Sequence, residues 1–487
     1  MPECSKNAPA RRRYGVVGGP GAVAGADVLV KMIRAAGAGA DAGVPAPDIA
    51  FEQRGLQERP GIAQDGYDPT LRKFHVYDAL KDMQARGVDV ALVPCFVSHT
   101  FLHEIAPQLG LRLVSLFDAL RAWIAREHAG IGTIGVLASP YVRQSGLFER
   151  ELGGLARIVH PGQAAQRQLM DAVYGPQGLR AGRQDGDCVA LLAQACADLA
   201  GQGAQIIVPG MTELPVLAEA LRPLAPVPLL DVNAIYAQFA LGVDGAPPPC
   251  EFKLGVLGGV GPAATVDFMR KVVDLTQAGR DQDHIKMVVE QNPQIPDRTA
   301  NLVGGGDDPT IPLLATCQRL QAGGAHAIAI PCNTAHAYVD RIQPYLQIPI
   351  VNMLSEVAAH LRERLPAASR VGLLATSGTV ASGVYRAVIE AAGMRLLVPD
   401  AAHQARVMQA IYGPRGVKAG YTSGACSEHL AAAIAHLAGQ GAQALILGCT
   451  ELPLIALAPG QGGQAELVDP TAILAARCVD LARRRAQ

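Results

Sequence analysis

The sequence predicts an α/β protein of two tandem modules, each with two Rossmann-like lobes of parallel sheet and a cleft between the lobes. Three observations predict this fold. The composition is rich in glycine, with 53 residues, and poor in aromatic residues, at 4%, although 49% of the 487 residues are hydrophobic. The two halves of the chain match each other, and in both halves short apolar runs alternate with amphipathic helical stretches. Parallel strands joined by crossover helices produce this alternation.

The repeat sets the domain organisation. Tyr14-Gly-Val-Val-Gly-Gly in the first half matches Leu254-Gly-Val-Leu-Gly-Gly in the second, and residues 201–215 align without a gap with residues 439–453. The seam is expected at residues 242–250, because three consecutive prolines cannot lie inside a helix or a central strand. The predicted organisation is therefore a disordered tail at 1–13, a first module at 14–247 and a second module at 248–487.

Composition and charge exclude several classes of partner. Lys plus Arg is 42 and Asp plus Glu is 43, a net charge of −1, so no global field attracts nucleic acid. No apolar run approaches the roughly 18 residues of a membrane helix. The first 13 residues carry three arginines without a following apolar region, which is not a secretory signal. The ten cysteines include no CxxC pair, so disulfides and structural zinc are not expected, and we expect a cytoplasmic protein.

A glycine-rich turn resembles a dinucleotide-binding motif. Gly259-Val-Gly-Pro-Ala-Ala264 follows the apolar run at residues 254–257 and matches the GxGxxA pattern. Such sites also carry an acidic residue about 20 positions further on. Here Glu290 stands 31 residues after the first glycine. We interpret the glycines as a turn that shapes one wall of a pocket, and we expect no cofactor.

Two cysteines stand in equivalent positions of the two lobes of the second module. Cys332 follows the apolar run at residues 327–330, and Cys449 follows the run at residues 444–447. Ligands of parallel sheets bind beyond the carboxyl ends of the strands, so a cleft between lobes brings both thiols together. One thiolate can remove a proton from one face of a carbon while the opposite thiol protonates the other face. This arrangement predicts racemisation or epimerisation without a cofactor.

Other interpretations of Cys332 stay open at this point. His336 lies four residues later, on the same helical face, which allows a Cys-His nucleophilic dyad or half of a metal site. A metal site needs more ligands, and the sequence clusters none near these two residues, so no metal is expected. A single cysteine in this position is also compatible with a buried apolar residue.

The second module resembles the Asp/Glu racemase superfamily, and within it the cofactor-independent aspartate racemases. Glutamate racemases usually open with Asp-Ser-Gly and place His after the second Cys-Thr, whereas this chain has Gly258-Gly-Val-Gly and Glu451. The resemblance extends over six segments in order: Gly255-Val-Leu-Gly-Gly-Val-Gly-Pro-Ala-Ala-Thr265, Asn292-Pro-Gln-Ile-Pro-Asp-Arg-Thr299, Pro331-Cys-Asn-Thr-Ala-His336, Leu374-Ala-Thr-Ser-Gly-Thr379, Gly416-Val-Lys-Ala-Gly420 and Gly448-Cys-Thr-Glu-Leu452.

The resemblance implies a set of site residues and an activity. It implies an acid/base pair and five substrate contacts: Cys332 and Cys449 for proton transfer; Asn333, Thr334 and Thr450 for the carboxylate and amine; Arg298 and Lys418 as charged groups. The implied reaction interconverts L- and D-aspartate, a small acidic substrate. The alternatives are glutamate racemisation, one-cysteine isomerisation or decarboxylation of another dicarboxylate, and binding of a small acid without turnover.

The first module departs from this pattern. It keeps Cys95 and His99 but has Phe96 and Val97 at the positions of the polar pair, and Met211 at the position of the second cysteine. A thioether has no exchangeable proton, so we expect this module to be catalytically degenerate. Arg59 and Arg180 are expected to replace the two charged residues. Aspartate racemases usually pair as dimers, and the resemblance implies that the first module fills the position of the partner within one chain.

Overall fold

The computed structural model describes residues 12–19, 22–38, 47–58, 61–63, 66–243, 251–457 and 465–486. The chain divides into two compact units, Met1–Cys250 and Glu251–Gln487, called here the first and second units. Arg13, which the sequence assigned to the tail, is the first residue of a strand, and the rest of that tail except Arg12 lies outside the described residues. None of the described helices is both long enough and apolar enough to cross a membrane.

The first unit alternates strands and helices along its described residues. Its strands are β1 Arg13–Gly18, β2 Asp48–Gln53, β3 Val90–Leu92, β4 Arg112–Leu113, β5 Thr133–Val136, β6 Arg157–Val159 and β7 Ile206–Val208. Its helices are α1 Ala22–Ala38, α2 Thr70–Ala85, α3 Phe96–His99, α4 Leu102–Ile105, α5 Leu116–Glu127, α6 Pro140–Gln144, α7 Leu147–Leu152, α8 Gln163–Tyr174, α9 Asp187–Gly201, α10 Ala218–Leu221 and α11 Val232–Gly242.

The second unit repeats the same alternation. Its strands are β8 Lys253–Gly258, β9 Lys286–Gln291, β10 Ala327–Ala329, β11 Ile350–Val351, β12 Arg370–Leu374, β13 Arg395–Leu397, β14 Ala444–Leu447 and β15 Glu466–Val468. Its helices are α12 Pro262–Leu275, α13 Arg298–Val303, α14 Thr310–Ala322, α15 Val339–Ile342, α16 Met353–Arg364, α17 Ser377–Ser382, α18 Val384–Ala391, α19 Ala401–Tyr412, α20 Ala425–Gly439 and α21 Pro470–Ala486.

Each unit contains two parallel sheets, one in each lobe. The strand orders are β2-β1-β3-β4 and β6-β5-β7 in the first unit, and β11-β10-β8-β9 and β13-β12-β14-β15 in the second. Every pairing between the named strands is parallel. The predicted α/β fold of parallel-sheet lobes is therefore confirmed.

The central strands are buried on both faces, as continuous apolar runs predict. Every residue of β10 and of β14 is buried. Space beside the neighbouring strand β8 is limited: a Cβ added to Gly255 would lie 3.3 Å from the Cβ of Leu320 in α14. Helices therefore pack closely against the sheet, and the polar residues that follow each strand lie at its carboxyl edge.

A partly buried ion pair network joins the two lobes of each unit. In the second unit, Lys271 of α12 pairs with Asp267 of the same helix and with Asp469, which follows the sheet of the other lobe. In the first unit, Lys31 lies 2.6 Å from Asp27 and 2.7 Å from Asp231 in the same arrangement. The repeated network therefore joins the first helix of each unit, α1 or α12, to the residue that precedes its last helix, α11 or α21.

Candidate active site

A narrow cleft between the lobes of the second unit brings together all seven residues that the sequence analysis selected for the site. Its lining residues are Val260, Arg298, Thr299, Cys332, Asn333, Thr334, Thr376, Tyr412, Lys418, Cys449, Thr450 and Glu451. Cys332 follows β10 of one lobe and Cys449 follows β14 of the other, so the two thiols reach one cleft from opposite sides. Val260 belongs to the glycine-rich turn, which therefore forms part of the wall.

The guanidinium of Arg298 lies beside Cys332 and is buried. Asp297 caps helix α13 by accepting a hydrogen bond from the amide of Ala300, so Arg298 is the first helical residue. Burial opposes the charged form, but Cys332 and Asp297 raise the pKa of Arg298 above its usual value. The positive charge is therefore retained next to the thiol.

Backbone carbonyls hold this guanidinium in place. Its Nη1 donates to the carbonyl of Pro296 at 3.0 Å, and its Nη2 donates to the carbonyl of Val260 at 2.7 Å. Its Nε is buried and has no hydrogen-bond acceptor. Among the residues that the structure describes, no carboxylate lies within ion-pair distance of Arg298. The arrangement leaves one charged donor available to an anion in the cleft.

The second thiol has a different electrostatic environment. Cys449 Sγ donates to Glu451 Oε2 at 3.0 Å, and Glu451 Oε1 accepts from Lys418 Nζ at 2.6 Å. Burial first, and then the Glu451 carboxylate, raise the pKa of Cys449 well above its ordinary value. Cys449 is therefore a neutral thiol at neutral pH. Burial opposes the charge of Lys418, but Glu451 and Cys449 keep its pKa above the ordinary value.

Three further polar residues, Asn333, Thr334 and Thr450, line the cleft. Asn333 Oδ1 accepts a hydrogen bond from the hydroxyl of Tyr385, while Asn333 Nδ2 is buried without a partner. Thr334 Oγ1 lies 2.7 Å from Thr379 Oγ1, within a buried cluster of hydroxyl groups. Thr450 donates to Glu451 at 3.4 Å. The unpartnered Asn333 amide and Arg298 Nε thus offer two buried donors at the same cleft.

Sequence reasoning missed part of this site. Tyr412 lies under Lys418, with the ammonium 5.4 Å from the ring centre, and burial raises the pKa of its hydroxyl to about 12. Glu451, which pairs with Lys418, entered the sequence analysis only as a difference from glutamate racemases. The available signal was the internal repeat, because Tyr412 and Glu451 match Tyr174 and Glu213 in the first half.

The hypothesis of a Cys-His dyad is wrong. His336 Nδ1 lies 2.9 Å from the carbonyl oxygen of Cys332, not from its sulfur, and Nε2 accepts the amide of Met353 at 3.1 Å. Burial lowers the pKa of His336, so the ring is neutral and carries its proton on Nδ1. His99 makes the same two contacts with Cys95 and Leu116, at 2.9 and 3.0 Å. Both histidines therefore fix the backbone after a strand.

The first unit has a corresponding pocket with different chemistry. Its lining residues are Ile62, Arg72, Cys95, Phe96, Val97, Tyr174, Gly210, Met211, Thr212 and Glu213. The guanidinium beside the surviving thiol belongs to Arg72, whose Nη1 lies 3.1 Å from Cys95 Sγ. Arg59, the residue expected there, lies outside the described residues. Arg72 is paired with buried Glu58 at 3.0 Å, so its charge is already balanced within the chain. Arg180 lies 5.3 Å from the ring centre of Tyr174.

Comparison with known proteins matches both halves of the chain to the same family. The model of the Asp/Glu/Hydantoin racemase family matches residues 17–240 and again residues 257–478. The chain is 30% identical to the broad specificity amino-acid racemase RacX of Bacillus subtilis over 31% of this chain and 66% of that protein. It is 31% identical to a glutamate racemase of Levilactobacillus brevis over 31% of this chain and 53% of that protein. The chain thus spans less than two thirds of either relative.

Two solved racemase structures each match about half of this chain. One is an aspartate racemase of Picrophilus torridus, with 29% identity, a TM-score of 0.42, and coverage of 48% of this chain and 94% of that chain. A glutamate racemase of Francisella tularensis in complex with D-glutamate is 19% identical, with a TM-score of 0.39, over 48% of this chain and 82% of that chain. Each covers about the length of one unit.

Proposed function

The chain belongs to the Asp/Glu/Hydantoin racemase family, and we propose that its second unit is a cofactor-independent amino-acid racemase whose substrate is aspartate. One observation carries the proposal: Cys332 and Cys449 reach the same cleft from opposite lobes. Two-base racemisation needs an acid and a base on opposite faces of one carbon. The seven proposed site residues are Cys332 and Cys449 for proton transfer, with Arg298, Asn333, Thr334, Lys418 and Thr450 for substrate binding.

The proposed reaction starts from an asymmetric pair of thiols. Cys449 is protonated because burial and Glu451 raise its pKa, whereas Cys332 lies beside the positive charge of Arg298. In the direction in which Cys449 is the acid, Cys332 is the base: Cys332 removes the α-proton from one face of the substrate, and Cys449 gives its proton to the opposite face. The product leaves with Cys332 protonated and Cys449 deprotonated. The reverse reaction uses the same two groups with their roles exchanged.

Buried donors support the proposed substrate class. Proton removal places negative charge on the α-carbon and the adjacent carboxylate, and fixed donors in a dry cleft stabilise that charge. Arg298 Nε and Asn333 Nδ2 are buried donors without partners. Lys418 adds a cation that is shared with Glu451. The presence of Glu451 after Cys-Thr, where glutamate racemases usually have His, favours aspartate, and glutamate is the alternative to be separated by experiment.

The test is solvent deuterium incorporation at the α-carbon, with the full chain in D₂O and no added cofactor. We expect L-aspartate to give D-aspartate that carries deuterium at Cα, at a rate above that with glutamate. Deuterated D-glutamate as the faster product would change the substrate but not the reaction. Turnover of maleate or of a disubstituted malonate without any α-exchange of amino acids would replace racemisation by dicarboxylate isomerisation or decarboxylation.

The first unit offers a matched control for this reaction. Cys95→Ser is expected to leave the rate of α-deuterium exchange unchanged, because Met211 stands where the opposite thiol would be needed and Arg72 is already paired with Glu58. The measurement is kcat and KM for both enantiomers of aspartate. Loss of exchange in this variant would place a working site in the first unit and contradict its proposed degeneracy. That the first unit takes the place of a partner subunit stays a prediction.

Glu451→Gln is expected to shift the pH profile of racemisation. Burial and then the Glu451 carboxylate raise the pKa of Cys449, and the substitution removes the second cause, so this pKa falls. Activity that needs protonated Cys449 is lost above its pKa, so the basic limb of kcat/KM for that direction moves to lower pH. In the opposite direction Cys449 is the base, and the acidic limb also moves to lower pH.

The control for this shift is the equivalent carboxylate of the first unit. Glu213 lines the first pocket and aligns with Glu451. Glu213→Gln should leave both profiles unchanged. The measurement is kcat/KM against pH, starting from each enantiomer in turn. Profiles of Glu451→Gln that coincide with those of the unaltered chain would show that Glu451 does not control the second thiol.

A further inference from the structure

A cluster of three metal-binding side chains lies outside the proposed racemase site. Asp400 caps the start of α19, His403 lies in the first turn of that helix, and His436 lies in the last turn of the neighbouring helix α20. The two imidazole rings stack with their centres 3.9 Å apart. Asp400 Oδ1 lies 2.8 Å from His403 Nδ1, and Asp400 Oδ2 lies 3.6 Å from His436 Nε2. Two helices thus contribute to one cluster.

We propose that Asp400, His403 and His436 form a binding site for one divalent transition-metal ion, with Zn²⁺ as the expected occupant. One ligand atom from each residue lies within 4.8 Å of the other two. Ligand atoms around a tetrahedral zinc lie about 3.4 Å apart, and the lone pair of each imidazole nitrogen lies in the plane of its ring. Binding therefore requires the two stacked rings to turn toward one ion while their nitrogens and the carboxylate move closer together. Two imidazoles with one carboxylate favour zinc, cobalt, nickel or copper over magnesium and calcium, which prefer oxygen ligands.

A fourth side chain stands beside this group. Gln440 lies 2.9 Å from His436 Nε2 through its side-chain amide. The nitrogen and oxygen of an amide differ only in how the group is turned, so the oxygen can occupy the same place. The exposed position of Asp400 leaves room for water to complete the coordination sphere.

The first unit shows what the fold alone requires at this place. At a constant offset of 238 residues, Asp400, His403 and His436 correspond to Gly162, Ala165 and Asp198. There the amide of Gly162 donates to Asp198 at 2.9 Å, as the amide of Asp400 donates to His436 at 3.4 Å. A single carboxylate therefore satisfies the start of the helix. The second unit has two imidazoles and a carboxylate at this place, which is more than the hydrogen bond at the start of the helix requires.

Bound zinc would join the beginning of α19 to the end of α20. Tyr412, at the far end of α19, lines the cleft with Cys332 and Cys449. A ligand that binds the folded chain and not the unfolded chain raises its stability. Zinc is thus expected to raise the temperature of thermal unfolding of the second unit without taking part in proton transfer.

The test uses the full chain without an affinity tag, in a background of Cys332→Ser and Cys449→Ser so that thiols of the cleft cannot bind metal. Zn²⁺ binding is measured by titration calorimetry, and Co²⁺ binding by its visible absorption. The main variants are His403→Ala and His436→Asp. His436→Asp reproduces the carboxylate of the first unit, so it keeps the helix start intact while it removes a nitrogen ligand. His103→Ala removes an exposed histidine of the first unit and is the control.

We expect one Zn²⁺ per chain, a rise in the unfolding temperature that EDTA reverses, and nitrogen-ligand absorption with Co²⁺. His403→Ala and His436→Asp should weaken Zn²⁺ binding at least about tenfold, since even residues that only support a metal ligand contribute 10–100-fold. His103→Ala should bind as the background does. Stoichiometry and affinity that stay the same in both main variants would overturn the proposal, as would binding that appears only when the cleft cysteines are restored.

Discussion

Cys332→Ser and Cys449→Ser are each expected to lower kcat for racemisation by about 10²- to 10⁴-fold, the range that a positioned acid or base contributes. A serine hydroxyl keeps the size of the thiol but does not give up its proton near neutral pH. Both side chains are buried at the lining of one cleft. The measurement is the rate of formation of the opposite enantiomer, followed by chiral chromatography or circular dichroism.

The two variants should differ in what they retain. Each one keeps a single thiol on one face of the substrate, which can remove the α-proton of one enantiomer and return deuterium to the same face. Cys332→Ser and Cys449→Ser are therefore expected to exchange the α-proton of opposite enantiomers, in each case without inversion. Cys95→Ser serves as the control that changes neither property. Racemisation that survives either cleft substitution at the full rate would contradict the two-base proposal.

The location of the two thiols could be predicted because it depends on local sequence and on the rules of parallel sheets. The runs that precede Cys332 and Cys449 are uniformly apolar, and both became buried central strands. The carboxyl ends of such strands lie at one edge of the sheet, which fixed the position of the residues that follow. The repeat then indicated that the same edge exists in both lobes. The position of the candidate site was thus predicted from strands, turns and spacing.

The partners of the side chains could not be predicted in this way. Lys418 was expected to face the substrate as a cation, yet it pairs with Glu451, 33 residues away in the sequence. Tyr385 reaches Asn333 over a separation of 52 residues. Such contacts depend on how distant segments pack, and no local pattern encodes them. The ring of His336 illustrates the same limit. The four-residue spacing predicted that His336 lies near Cys332, but it could not predict that the ring contacts the backbone rather than the sulfur.

In the first unit, the arginine beside the thiol comes from a different part of the chain than in the second unit. Comparison of the two halves suggested Arg59 as the counterpart of Arg298, and this expectation stays untested because Arg59 lies outside the described residues. Within the described residues, Arg72 of α2 lies against Cys95. Arg72 is held by Glu58, so the buried charge is balanced before any ligand arrives. The two units therefore share a fold and differ in whether a buried cation is left for an anion. After the two cysteines, Arg298 is therefore the residue whose substitution is expected to lower kcat/KM most.

Arg298→Leu is expected to lower kcat/KM for aspartate by about 30-fold or more, since truncating one partner of a buried charge pair costs about 2–5 kcal/mol. The guanidinium has a buried Nε without an acceptor, which we propose binds a carboxylate of the substrate. Arg298→Lys keeps the charge but has one ammonium in place of a planar fork. A lysine ammonium cannot donate hydrogen bonds to the carbonyls of Val260 and Pro296 and bind the substrate carboxylate at the same time. An intermediate loss is therefore expected for this variant.

A structural role of Arg298 would produce a different result, and two further measurements separate the two roles. Unpairing the carbonyls of Val260 and Pro296 lowers the unfolding temperature whether or not the substrate binds there. The dissociation constant of succinate, a dicarboxylate without an amine, is therefore measured at a temperature where each variant is folded.

Asn333→Asp is a second variant for this measurement. It keeps the shape of the side chain but replaces the free amide donor by a charge that repels carboxylates. If Arg298→Leu and Asn333→Asp both bind succinate as tightly as the unaltered chain does, these residues position the cleft without holding the anion, because a direct contact cannot be lost without a rise in that constant.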